Sequence, residues 1–436
     1  MTMRSLNIVV AAGLCFLAAN STAETQAKDG RAEVFSYNLR ALAFVDTQNP
    51  THSTQNPDNA FLKINRYSGE VQVRPDLFLE TPSVSGSLKP RLTSTRRWWE
   101  DGAMRGETAS QNRTFVNDWQ VQVKPHEALF ISFGKEKTLW GPSFIASPSN
   151  VLFKDTERVN PKTEVEGKYL ARLVYLPNNA LTITVLSETK KEDNGLSGKS
   201  PPVRALKAEI MGSNYLLAAI GYQQRRDRPR VGSYGQWTAS DSMVLYYDGI
   251  VTKGTDVLYP ERDAASPLGA SFVRTYDDSA KLFPTITAGG TYTFLSGDTV
   301  SMEFLYNRPG YDDAMARAYY ELRGDAARHL FDGAGLSGLS QQTLSEALTT
   351  GSPFLRQYYL MGQFQSREIK DVLNVILRYT YGLEERAGQA SAILEWQATG
   401  RLQFFAIGSA NVGNRANTEF SSLVGSSLMA GIEAHL

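Results

Sequence analysis

The sequence predicts an all-β fold, a transmembrane antiparallel β-barrel of about 16 to 18 strands with long extracellular loops, one of them partly helical. Three observations carry that prediction. Apolar and polar residues alternate strictly over many runs of about 9 to 11 residues, the length a tilted strand needs to cross a bilayer. Short and long connections alternate along the chain, and the last alternating run ends on the last residue, Leu436.

Residues 1–23, MTMRSLNIVVAAGLCFLAANSTA, place Arg4 before the apolar run Leu6–Ala19 and end on Ser21-Thr22-Ala23. This is the pattern of a secretory signal peptide, too short to span a membrane as a helix. The sequence therefore divides into a signal peptide, 1–23, and an outer-membrane barrel, 24–436. A lipoprotein signal is the competing reading of Cys15, but Leu14 fills the place before it where a small residue belongs. Cys15 is the only cysteine, so no disulfide is expected to hold the exported chain.

After Ala23 no stretch approaches 18 consecutive apolar residues, which removes a transmembrane helix from consideration. Lys168–Lys190 shows what stands in its place. Tyr169, Ala171, Leu173 and Tyr175, then Leu181, Ile183 and Val185 across the turn PNNA, share one face, while Lys168, Arg172, Thr182, Thr184 and Glu188 share the other. The apolar face is expected to meet lipid, with Tyr at strand ends as interfacial anchors. The same alternation recurs at Val71–Leu79, Val300–Tyr306, Leu373–Tyr379 and Ala390–Trp396, and at Phe115–Val123, where Phe115 and Asn117 read as sharing the face of Trp119.

Tight turns are expected at Lys124–Glu127, Pro177–Ala180, Gly212–Asn214, Thr252–Gly254, Ser296–Asp298, Ser366–Lys370 and Thr399–Gly400, each carrying turn-forming residues. Between them lie longer polar segments at 99–113, 137–166, 191–202, 225–233, 261–282, 308–353, 382–388 and 411–419. A sandwich or propeller has no reason to sort its loops in this way. A transmembrane barrel does, with short periplasmic turns and long outer loops. The run RRDRPR (225–230) is then a solvated or lipopolysaccharide-facing patch.

In the terminal SSLMAGIEAHL, Leu428, Ala430, Ile432, Ala434 and Leu436 lie on one face. This resembles the closing-strand signal read by the barrel-insertion machinery, which the resemblance implies as a partner. The chain departs from that pattern in ending on Leu rather than Phe and in placing Met429 where a polar residue is usual. The segment 133–153, with Trp140-Gly141-Pro142 and Pro148-Ser149-Asn150, resembles porin-like barrels of the alginate-export and capsule-assembly type. That resemblance implies a wide outer-membrane barrel handling polar solutes or extracellular polysaccharide, with the Trp140 loop as a candidate constriction. The alternative is that Trp140 merely pins a loop to the wall.

Strand parity points Arg40, Arg74, Lys89, Arg91, Arg97, Lys168, Arg172, Lys207 and Arg378 inward, against Asp76, Asp118, Glu188, Glu209, Glu303 and Glu395. The pore-lining candidates are Arg40, Arg74, Lys89, Arg91, Arg97, Arg172 and Arg378. Left open, such cations would favour anionic solutes; paired across strands, they would fill the lumen. The segment Asp312–Leu348 breaks the β pattern with helical stretches, and reads either as a cap over the mouth or as an outward receptor or adhesin surface.

The four histidines, His52, His126, His329 and His435, stand in no metal-ligand spacing, and no nucleophile elbow or phosphate-binding loop occurs. Neither an enzyme, a cofactor nor a metal is expected. Lys+Arg and Asp+Glu are both 45, which gives no basic excess for a nucleic-acid partner. Partners are instead the lipid and lipopolysaccharide of the outer membrane. Two functional readings remain: a channel for polar or anionic solutes, with polysaccharide among them, and a non-conducting barrel that anchors polysaccharide or adheres to surfaces.

Overall fold

The computed structural model describes residues 34–153, 160–190, 192–193, 199–225, 228–274, 281–369, 372–413 and 418–436. The expected signal peptide 1–23 lies outside the described residues. Eighteen antiparallel strands form one sheet. In chain order they are β1 (Phe35–Pro50), β2 (Tyr67–Glu80), β3 (Val84–Trp98), β4 (Thr108–His126), β5 (Leu129–Glu136), β6 (Lys168–Asn178), β7 (Leu181–Glu188), β8 (Arg204–Met211) and β9 (Tyr215–Arg225). They continue as β10 (Arg228–Ser240), β11 (Met243–Lys253), β12 (Leu282–Thr293), β13 (Thr299–Asn307), β14 (Tyr358–Ile369), β15 (Leu373–Gly382), β16 (Ala387–Thr399), β17 (Leu402–Val412) and β18 (Val424–His435). Each pairs with the next, and β1 pairs with both β2 and β18, so Ala43 faces Val71 on one side and Ile432 on the other. The sheet is closed and has no free edge, which is what a β structure needs in lipid.

The outward residues follow the alternation in the sequence. Leu206, Val231, Trp237 and Met302 are each half or more exposed, and they belong to an apolar belt around the barrel. In water that much exposed apolar surface would be a liability, whereas a bilayer covers it. The fold is that of an outer-membrane barrel.

The connections sort as expected, with two corrections. Thr252 and Lys253 are the end of β11, and the tight turn before that strand is Asp241-Ser242 instead. Conversely, most of 225–233 is strand rather than a long connection, because β10 begins at Arg228. Gly232 keeps a regular pairing with Ile220, and the β9–β10 ladder shifts register only between Tyr222 and Arg225. Residues 226–227 of RRDRPR lie outside the described residues. A third correction concerns β4. Lys89 pairs with Asp118 but Pro90 pairs with Val116, so Asn117 is the extra residue of a bulge and Phe115 pairs with the lumen-facing Arg91. The bulge turns Phe115 onto the lumen face, opposite to its expected side.

The long connection 308–357 carries two helices, α1 (Asp313–Arg328) and α2 (Ala334–Leu348). Asp312 caps α1 by accepting from the backbone N–H groups of Ala314 and Met315. Tyr319 and Ala316 of α1 pack with Ala347 of α2 and with Val257 and Tyr259 from the connection 254–281; Leu322, Ala326 and Leu344 pack around Leu268 and Phe61. Gln55 donates to the Leu344 carbonyl at 2.9 Å, and Arg323 to the Thr54 hydroxyl at 2.9 Å. The helices thus join loops that leave the barrel between β1 and β2 and between β11 and β12, which lie across the ring from one another. Of the two placements read from the sequence, the described contacts are those of a cap spanning the mouth.

Candidate functional site: the lumen constriction

The connection between β5 and β6, described over 137–153 and 160–167, folds into the barrel. Its first part is a compact hook. Trp140 donates from Nε1 to the Ser149 carbonyl at 3.0 Å, Ser147 Oγ donates back to the Trp140 carbonyl at 2.8 Å, and the Asn150 side chain bonds the Thr138 carbonyl and the Phe153 N–H, both at 3.2 Å. The Tyr222 hydroxyl also donates to the Ser149 carbonyl. Trp140, Leu152 and Phe153 bury against Leu170, Leu186, Ala205, Ile220 and Tyr234, an apolar patch on the inner wall of β6–β10. That patch faces a channel interior yet is apolar because a protein segment covers it. Trp140, 9% exposed, is therefore the loop's fastening to the wall, and its indole does not stand in the aperture.

The tip of the hook is held by two carboxylates from the wall beyond. Asp248 of β11, fully buried, accepts from Ser147 Oγ at 2.6 Å and from the Ser149 N–H at 2.8 Å. Glu303 of β13 accepts from the N–H groups of Phe144 and Ile145 at 2.6 and 2.7 Å and from the Tyr246 hydroxyl at 2.8 Å. Charge-assisted bonds to backbone donors are among the stronger hydrogen bonds, so these pairs fix the loop rather than merely touch it. Gly141 makes the approach feasible. Its φ is +86°, and a Cβ there would lie 1.9 Å from Asp248 Oδ2.

The returning limb crosses to the opposite wall. Lys162 Nζ sits between Glu433 at 2.8 Å and Glu395 at 2.9 Å, above the Phe405 ring at 5.1 Å. Glu164 takes two bonds from Arg91, at 2.5 and 2.9 Å, and lies 3.4 Å from Arg40 and 3.8 Å from Arg74. Asp76 joins Arg91 at 2.8 Å and Arg40 at 3.1 Å. Arg74 also donates to the Lys162 carbonyl at 2.6 Å. Four cations, Arg40, Arg74, Arg91 and Lys162, thus meet four carboxylates, Asp76, Glu164, Glu395 and Glu433. Burial by itself would raise the Glu164 carboxyl; the guanidiniums of Arg91, Arg74 and Arg40 outweigh that and hold it below the usual carboxylate range.

A second balanced group lies where the loop leaves β5. Arg172 pairs with Glu136 at 2.8 Å, Lys168 with Glu188 at 3.5 Å, Lys89 with Asp118 at 3.9 Å, and Lys135 with Glu166. Of the expected pore-lining residues, the structure brings Arg40, Arg74 and Arg91 into the first network and Lys89 and Arg172 into the second. Arg97 stands apart near the outer rim, 3.4 Å from the Gln111 side-chain oxygen. Arg378 stands on the far wall and donates twice to Gln363 Oε1, at 2.9 and 2.7 Å. Lys162, Glu164 and Asp248 were not singled out from the sequence, although Asp248 follows two tyrosines on the inward parity of an otherwise apolar strand, a position where a carboxylate needs a reason.

A closed, membrane-spanning barrel whose lumen is crossed by a loop fixed at both ends defines the class, an outer-membrane barrel of porin type. Solved structures that share this fold include Acinetobacter baumannii OccAB1, at TM-score 0.53 with 12% identity over 95% of this chain and 100% of that one, and two proteins of Pseudomonas aeruginosa. These are OccK7 (OpdD), at TM-score 0.52 with 9% identity over 93% and 99% of the two chains, and the outer membrane protein OprD, at TM-score 0.51 with 8% identity over 94% and 95%. No family model and no curated protein matches the chain. At such identities the likeness is one of fold. It extends the Trp140-Gly141-Pro142 resemblance to porin-like barrels in general and not to the alginate-export or capsule-assembly type.

Proposed function

We propose that the protein is an outer-membrane channel for small polar solutes. The observation that carries this reading is the inserted loop. A barrel serving only as an anchor has no need of a segment that narrows its lumen, and the loop's own bonds reach β1–β3, β11, β13 and β16–β18. The OprD/Occ likeness supports the same reading at the level of fold. Anion preference forms no part of the proposal, because Arg40, Arg74, Lys89 and Arg91 of the first three strands each have a carboxylate within 4 Å. Polysaccharide handling forms no part of it either, since the neighbours in fold offer it no support. Purified protein in a planar bilayer is expected to open discrete conductance steps of uniform size. Absence of any conductance overturns the channel reading in favour of a structural or adhesive barrel.

A further inference from the structure

The strand pairings place one polar residue of each of eight successive strands side by side on the lumen face. Thr291 of β12 pairs with Ser301 of β13, Ser301 with Gln363 of β14, Gln363 with Arg378 of β15, and Arg378 with Ser391 of β16. Ser391 then pairs with Ser409 of β17, Ser409 with Ser427 of β18, and Ser427 with Gln48 of β1. Some neighbours are already bonded, Thr291 to Ser301 at 2.7 Å and Ser409 to Ser427 at 2.9 Å.

Because strands in a barrel tilt, this row climbs as it goes round. Thr291 lies two residues from the short-turn end of β12, and Gln48 lies two residues from the long-loop end of β1. Seven inter-strand steps of roughly 4.8 Å make a path of about 34 Å around the wall, which at a strand tilt of about 40° rises roughly 22 Å along the barrel axis, about 70% of the hydrocarbon core. The row also changes sides of the inserted loop as it climbs. At β13 the loop tip holds Glu303, nearer the outer rim than Ser301; at β16–β18 the returning limb holds Glu395, Gln403 and Glu433, nearer the inner rim than Ser391, Ser409 and Ser427. The crossing between those levels falls at Gln363 and Arg378. Ser301 and Gln363 are buried, at 2% and 5% exposed, whereas Arg378, Ser391, Ser409, Ser427 and Gln48 are all partly exposed. The adjoining row on the inner side, Ile376, Ile393, Ile407 and Met429, is apolar and belongs to a cluster with Phe405 and Leu42.

We propose that the exposed part of this row, from Arg378 to Gln48, is a solute track and that it selects uncharged, hydroxyl-rich solutes of monosaccharide-like chemistry. The inference rests on the channel reading and names its substrate class. Hydroxyl and amide rungs both donate and accept, so a solute carrying hydroxyls can exchange one partner for the next without leaving a group unsatisfied. A solute with acceptors only, or with a full charge, finds a matching partner at few of the rungs, and Arg378 supplies the row's only charge.

Liposome swelling with erythritol and with glycine betaine, solutes of like mass, tests this. Erythritol is expected to enter faster than betaine. The S391A/S409A/S427A variant, which widens the track, is expected to slow erythritol roughly threefold, the worth of one modest hydrogen bond at a time, with betaine unchanged. S409A and S427A singly serve if the triple variant fails to insert, and S409T is expected to restore the rate. Equal rates for the two solutes, or an equal change in both on substitution, overturns the inference while leaving the channel reading intact. Entry of neither solute, together with absent conductance, overturns both.

Discussion

At the scale of single residues, the constriction depends on groups whose partners are distant in sequence. Replacing Arg91, which is 2% exposed, by Gln leaves Glu164 and Asp76 without their main partner, and the expected loss is about 3 to 5 kcal/mol, measurable as a lower denaturation midpoint of the folded band. Arg97→Gln, outside that network, is expected to stay within about 0.5 kcal/mol of the parent. Glu164→Gln has a different signature. It releases the cations of Arg40, Arg74 and Arg91, so the reversal potential in a salt gradient should move toward anions; an unmoved potential would show that the network does not face the ion path. Glu164 is held below its ordinary value, so its contribution to stability is full above the unfolded carboxylate value of about 4.3 and fades as pH falls through the depressed native one. Anion preference should therefore also rise in acid. Gly141→Ala drives a methyl group into Asp248 and should unseat the hook, giving larger and noisier single-channel currents.

At the scale of elements, the cap is the part that pH should reach near neutrality. Tyr320 of α1 donates to Glu385, Arg356 bonds Asp313 and lies 3.4 Å from Glu384, and the Glu419 side chain accepts from Tyr359 and from the Leu355 N–H. Burial pushes the Glu419 carboxyl up to about 7 and the nearby Glu385 adds to the rise, against the hydrogen bonds from Tyr359 and Leu355 and the charge of Arg356. A raised value means that the contribution to stability is fully present below the unfolded carboxylate value and is lost as pH climbs through about 7. Protection factors in α1 and α2, that is, exchange corrected for the intrinsic rise of the rate with pH, are therefore expected to be lower at pH 8 than at pH 6. Glu419→Gln should remove most of that difference, and an unchanged difference would place the titration elsewhere.

At the scale of the whole molecule, eighteen paired strands and an apolar belt make a barrel that should resist detergent until heated, so the protein is expected to run as a heat-modifiable band from the outer-membrane fraction. The two rims are distinguishable. Tags at Asn179 and Gly297 lie in or beside the short turns after β6 and β12 and should be sheltered in intact cells, whereas a tag at Ala334, in the cap, should be open to protease. Gly195, expected on the outer side as well, lies outside the described residues. Surface labelling at Asn179 would invert the topology.

The sequence by itself determined the strands, their outward face and the sorting of most connections, because a period of two is a local property that each segment carries alone. It misread 225–233, Thr252–Gly254 and the face of Phe115, where Pro, Gly or a bulge interrupts that period without ending the strand. It also found the inward cations but not their condition. Whether Arg40, Arg74 and Arg91 stand open or paired depends on Glu164, which reaches them only because the loop after β5 turns into the lumen. The polar row is of the same kind: Ser427 meets Gln48 only when the last strand closes on the first. Parity is written within each strand, while register, closure and the course of an inserted loop are set by contacts between segments hundreds of residues apart, and only the tertiary structure decides them.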